Sequence, residues 1–255
     1  MAQIRFRCWK NPRTLYLIPA LITVFFTLVE TQPILLATGI PEQWQANEYQ
    51  PPVGIGAPRR IEPGGTRNPG SCEVPGKSLT ALLPSNRFSV TVAAYPTFFV
   101  YLPAQSPQAS PLPVEFVLKD INDDEIYRAN FKTSGTPGII TLSLPAQAGL
   151  LPLNVGQDYK WSFSIICQGD ERSKDITVEG WIRRVKLNPV METQLKQASP
   201  QKQVEIYAQA GIWQDALATL VQLRRDNPAD SQIAAEWTKL LRAVGLDNIA
   251  QETTL

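Results

Sequence analysis

From Phe88 to Leu187 apolar residues recur at every second position, and beyond Asn188-Pro189 they recur at helical spacing. A strand sends successive side chains to opposite faces, whereas a helix repeats every 3.6 residues. The change of period therefore divides the chain into a β region and a helical tail. Tyr159, Trp161, Phe163, Ile165 and Cys167 share one face of the clearest strand, with Lys160, Ser162, Ser164 and Ile166 on the other. That pattern is a half-buried strand aiming Cys167 at the core.

Val114-Phe116-Leu118, Ile126 to Thr133, Ile140-Leu142-Leu144 and Ile176 to Val185 predict further strands. Phe88 to Ala94 and Thr97 to Leu102 add two more, the second apolar on both faces. Turn residues separate them at Asn122-Asp123-Asp124, Gly135-Thr136-Pro137-Gly138 and Gly169-Asp170. About seven short strands at such spacing point to an antiparallel, immunoglobulin-like β-sandwich, with a barrel as the alternative. The densest aromatic stretch, Tyr95 to Tyr101, must give the core at least one face.

In the tail, Ser199-Pro200 is an N-cap followed by proline at the first helical position. Val204, Tyr207 and Ala208 line that helix, and Gly211 ends it. A second helix from about Trp213 to Arg225 carries Ala216, Leu217, Leu220 and Leu223 on one face. Asp230 caps a third, which carries Ile233, Ala234, Trp237, Leu240 and Leu241 and ends at Gly245. The fold class expected is thus mainly β with an α tail, a sandwich followed by a three- to four-helix subdomain. Tyr207, Gly211, Trp213, Ala216, Leu220, Leu223 and Pro228 resemble the spacing of a tetratricopeptide repeat, and Gly245 lies one such 34-residue repeat beyond Gly211. Tyr207, Trp213 and Trp237 are then candidates for a partner-binding surface. The plainer reading is a helical pack resting on the sandwich.

The N-terminus sets the compartment. Arg5, Arg7, Lys10 and Arg13 precede an uncharged apolar run from Leu15 to Val29, and Leu35-Leu36-Ala37 offers a cleavage point. Basic start, apolar stretch and small-residue exit form a secretory signal peptide. An uncleaved membrane anchor is the alternative, although a span usually needs ~20 apolar residues. The expected organisation is residues 1–37 as signal or anchor, 38–70 as a Pro/Gly-rich arm, 71–188 as the sandwich and 189–255 as the helical subdomain. Cys8 would leave with the signal, and Cys72 and Cys167 then suggest a disulfide in an oxidising compartment. Lys+Arg number 24 against 23 Asp+Glu, so no basic footprint for nucleic acid is present. Membrane contact is expected only through an uncleaved N-terminus.

The chain has no histidine. That removes the commonest general base and metal ligand and every Ser-His or Cys-His arrangement. Gly76-Lys77-Ser78 resembles the end of a phosphate-binding loop, but the required preceding glycine is displaced and Pro84 breaks the helix that should follow. Asp120, Asp123, Asp124 and Glu125, with Asn122, could offer hard oxygen ligands to calcium. The competing reading is the polar turn of a hairpin. Arg59, Arg60 and Arg67 flank Gly64-Gly65-Thr66 and are candidate anion contacts. No cofactor and no catalytic residue is expected.

Several blocks together resemble the cyanobacterial DUF928 family, a domain of unknown function. They are Gly56–Arg60, Gly64-Gly65-Thr66-Arg67, Cys72, Leu79-Thr80-Ala81-Leu82, Tyr95-Pro96-Thr97-Phe98-Phe99, Gly135-Thr136-Pro137-Gly138, Cys167, Val178-Glu179-Gly180-Trp181-Ile182 and Gly211 to Leu217. The resemblance spans roughly Pro51 to Ile249. It implies a cyanobacterial source and export, and carries no activity or ligand. The expected function is a non-catalytic protein-interaction module of the periplasm or cell envelope, binding another envelope protein or itself. A carboxylate-based, metal-dependent ligand binder or enzyme is the alternative.

Overall fold

The computed structural model describes Tyr49, Pro52, Ile55, residues 77–103, residues 111–252 and Thr254. Residues 1–37, expected to be a signal or anchor, Cys72, and Arg59, Arg60 and Arg67 lie outside the described residues. Eight strands are followed by four helices: β1 (Thr80–Ala81), β2 (Phe88–Thr91), β3 (Thr97–Leu102), β4 (Pro113–Lys119), β5 (Glu125–Lys132), β6 (Gly138–Ser143), β7 (Asp158–Ile165), β8 (Ile176–Arg184), α1 (Pro189–Gln197), α2 (Pro200–Gln209), α3 (Trp213–Asp226) and α4 (Ser231–Arg242). Among these residues no helix is long and apolar enough to cross a membrane.

The strands form two sheets, β1-β3-β6 and β2-β8-β7-β4-β5. Along β7, Tyr159, Trp161, Phe163 and Ile165 are buried as the alternation predicts, but Ser164 is buried as well, and Cys167 lies beyond the strand's end and is half-buried. The two sheets meet through Phe98 of β3, whose ring lies 4.9 Å from Phe116 of β4 and 5.2 Å from Trp161 of β7. Strand order and layering follow the immunoglobulin sandwich, whose two sheets are joined there by a disulfide packed against a tryptophan. Here an aromatic cluster occupies that centre. The start of β7 also carries a tyrosine corner. The Tyr159 hydroxyl accepts from the Asn154 backbone N–H at 2.9 Å and donates to Gln157. Gly180 of β8 stands opposite Trp161, and a Cβ there would lie 2.9 Å from the indole and 2.2 Å from Leu83. The glycine makes room for the ring.

The expectation of a wholly antiparallel sandwich needs one correction, because β2 runs parallel to β8. Periodicity reports which face a side chain takes and carries no information on strand direction. After β1 the chain turns through Arg87, at φ 56°, crosses to the other sheet and arrives alongside its last strand. The three-stranded sheet is too narrow to cover the five-stranded one, and α3 packs on β2 and β3. Ser89 and Thr91 lie level with Ile182 on the inward face, Phe88 and Val90 lie level with Trp181 and Arg183 on the opposite face, and all four are buried.

Capping explains the helix limits. Asn188, Ser199 and Asp230 accept the backbone N–H of Met191, of Lys202, and of Gln232 and Ile233, respectively. Gly211 and Gly245 take the positive φ that ends a helix, 69° and 77°. Helix α1 is absent from the helical reading of the tail. Leu195 is its one buried residue, so it has no apolar stripe, although Asn188-Pro189 is a legible cap and N1 pair.

Candidate functional site

The helices are fastened to the sandwich at the first turn of α3. Trp213 donates its indole N–H to the Leu82 carbonyl at 3.0 Å. Gln214 donates its amide N–H to the Thr97 carbonyl, and Asp215 accepts the Val92 backbone N–H at 3.0 Å. Burial pushes the Asp215 carboxyl up to about 6, against the hydrogen bonds from Thr91, Val92 and Ala93 that favour its ionised form. From the arm, Tyr49 donates its hydroxyl to the Gly211 carbonyl at 2.8 Å and sets its ring edge-on to Trp213 at 5.8 Å. Burial holds that phenol protonated.

This arrangement corrects the proposed partner surface. Trp213 and Trp237 are buried. Trp213 is the bolt of the joint. Trp237 donates to the Ala250 carbonyl at 2.9 Å and lies under the Arg224 guanidinium at 4.8 Å. Tyr207 is half-buried. The aromatic residues that helical spacing picks out as large and periodic face inward, as periodic aromatics usually do.

What α2, α3 and α4 leave open is a groove of about 220 Å³. Its floor is Val204, Leu220, Leu223 and Ile233, and its rim includes Gln201, Lys202 and Gln232. Glu205 is buried on the wall, where it accepts from Lys202 at 2.7 Å and from Gln209 at 3.1 Å. The volume is below the ~300–1,000 Å³ of small-molecule sites. The helical pattern does name the floor residues, but which of them lie at an open surface depends on how α2 and α4 splay over α3.

A larger cleft, about 510 Å³, lies between the start of β5 and residues 148–154. It is lined chiefly by Ile126, Tyr127, Leu150, Leu151 and Pro152. Of its polar members, Glu125 pairs with Arg128, and Asn154 with Gln157 at 2.8 Å.

The acidic segment is the β4–β5 turn. One Asp120 oxygen accepts the backbone N–H of Asn122 at 2.8 Å and of Asp124 at 3.0 Å. Asp123 takes a positive φ of 68°, and residues 121–125 are exposed. Arg128 holds Glu125 below the ordinary carboxylate range. Asp120 is spent on the turn and Glu125 on Arg128, so the carboxylates do not converge. Among the described residues no group of three metal-capable side chains is present.

The outer sheet face carries a charge clasp that local sequence does not reveal. Glu115 of β4 is bound by Arg128 of β5 and, at 2.7 Å, by Arg172. Arg172 also binds Asp175 at 2.5 Å, and Asp175 accepts the Cys167 backbone N–H at 3.2 Å. Burial alone would raise the Glu115 carboxyl, yet the two guanidinium groups hold it below its usual value. The clasp ties β4, β5 and the loop after Cys167 together, and its partners are 13 and 57 residues from Glu115.

Comparison with curated proteins finds no match. The family model described as Domain of Unknown Function (DUF928) matches residues 62–254. That is most of the chain, both the sandwich and the helices, and the protein belongs to the DUF928 family.

Proposed function

We propose that this protein is a non-catalytic protein-interaction module of the periplasm or cell envelope, and that it takes a segment of a partner protein in the groove between α2 and α4. The observation that carries this reading is the groove itself. Its floor is apolar, its rim is polar, and it belongs to helices fastened to the sandwich by the α3 joint. Interfaces with a buried apolar centre and a polar rim have this composition. The basic, apolar, small-residue N-terminus supports export. Export in turn supports a Cys72–Cys167 disulfide, which would close a loop worth up to about 4–5 kcal/mol. The tetratricopeptide spacing of Tyr207 to Pro228 fits a groove framed by helices. The metal-dependent alternative has less support, because the acidic side chains serve the turn and Arg128.

The test is crosslinking and capture in living cells, comparing the wild-type chain with Gln201→Arg/Gln232→Arg, two exposed rim positions. Partners that disappear with an unchanged melting temperature support the groove. The same partners captured by both chains would move the site elsewhere.

A further inference from the structure

Among the described residues the five-stranded sheet ends at β5. Eight residues long, with neither proline nor glycine, β5 is exposed or half-exposed along its whole length. Such an edge presents unpaired backbone N–H and C=O groups, which proteins blunt with proline, charge, bulges or shortness. Strand β5 carries Arg128 and Lys132 and a register shift at its start, and from Tyr127 to Lys132 it pairs with β4 without interruption. Here Tyr127, Ala129 and Phe131 lie opposite the buried Leu118, Phe116 and Val114. They are the inward face of β5, yet they overhang the core, and Phe131 remains 38% exposed. The 510 Å³ cleft lies beside Tyr127 and is walled by Leu150 and Leu151. Leu151 is 79% exposed.

We propose that β5 pairs antiparallel with β5 of a second copy of this chain, about a two-fold axis at Ala129. A two-fold axis normal to the sheet keeps both inward faces on one side, so the axis must pass through a residue paired with itself. Centring on Arg128 would place two guanidinium groups together. Centring on Asn130 would set Arg128 against Lys132, like against like. Centring on Tyr127 would shorten the overlap to five strand residues. Centring on Ala129 sets Tyr127 against the second copy's Phe131 on the inward face and Arg128 against Asn130 on the outward face. Aromatic cross-strand pairs favour such a register, and like charges oppose those centred on Arg128 and Asn130. The same register delivers each exposed Phe131 to the other copy's Tyr127, beside the apolar cleft. Edge pairing gives main-chain hydrogen bonds along the strand, the basis of strand addition. The contact is smaller than a standard interface and the dimer correspondingly weak. This surface is separate from the helical groove and does not depend on it.

The experiment is site-directed crosslinking of the full-length chain without reductant, beside the wild type. Ala129→Cys places two thiols opposite each other across the axis and is expected to give a disulfide-linked dimer. Asn130→Cys, opposite Arg128, is expected to give at least several-fold less. Adding Phe131→Lys to Ala129→Cys should abolish the crosslink while the chain stays folded by circular dichroism, although the loss of the Phe131 contact with Phe163 lowers its melting temperature. A crosslink at 130 as strong as at 129, no crosslink at 129, or a crosslink that survives Phe131→Lys would each overturn the proposal.

Discussion

Two residues illustrate how burial sets the cost of a side chain. Asp215 has a carboxyl raised from 3.8 to about 6 by burial, so the folded protein binds a proton that the unfolded chain has released. The stabilisation is full below about pH 4 and is lost as pH rises through about 6. A shift of this size corresponds to about 3 kcal/mol. Urea denaturation between pH 4 and 7 should show the wild type losing stability relative to Asp215→Asn, which keeps an acceptor for Val92 and removes the charge. Parallel pH curves for the two proteins would disprove this. Gly180 sets a steric limit. In Gly180→Ala the new methyl meets the Trp161 ring and Leu83, and overpacking of this kind costs about 1–3 kcal/mol. A lowered urea midpoint with the same slope would report it. The importance of Trp161 is visible in the alternation of β7, but its need for a glycine at 180 is not, because β7 and β8 meet only through tertiary pairing.

At the scale of elements, α3 belongs as much to the sandwich as to the helices. It covers β2, where the smaller sheet does not reach. Trp213→Phe would leave the buried Leu82 carbonyl without its donor, a loss of about 1–3 kcal/mol, and should speed proteolysis between the two parts. Unchanged protease resistance would show that the joint has other supports. Ending the chain at Asn188 would strip α3 from β2 and β3 and leave the Leu82 and Thr97 carbonyls without their donors, so the truncated protein is expected to aggregate or melt without cooperativity, as light scattering and calorimetry would reveal. For this reason point changes on the groove rim are the sounder probe of the helices. The caps at Ser199 and Asp230 and the stops at Gly211 and Gly245 are local signals, and the helices they bound stand where those signals place them. Helix α1 has the same capping signal without an apolar stripe, which is why periodicity passes over it.

Over the whole molecule, the C-terminal segment closes the structure. Ile249 and Ala250 are buried, Lys77 binds the Asn248 carbonyl at 2.6 Å and also Glu252, and Thr254 bridges to Ile139 of β6. Deleting residues 248–255 should lower the melting temperature by several degrees, since removing a buried isoleucine alone costs about 2–5 kcal/mol. An unchanged melting curve would mean that this closure is not cooperative with the core. The sequence by itself determined the two regions, the faces of the strands and three of the four helices, because period and capping act between residues a few positions apart. Only the tertiary structure decided that β2 lies parallel to β8, that Trp213 and Trp237 are interior, that Glu115 is clasped by Arg128 and Arg172, and that a groove opens between α2 and α4. Each of these depends on contacts between distant segments, where direction and depth are set by packing.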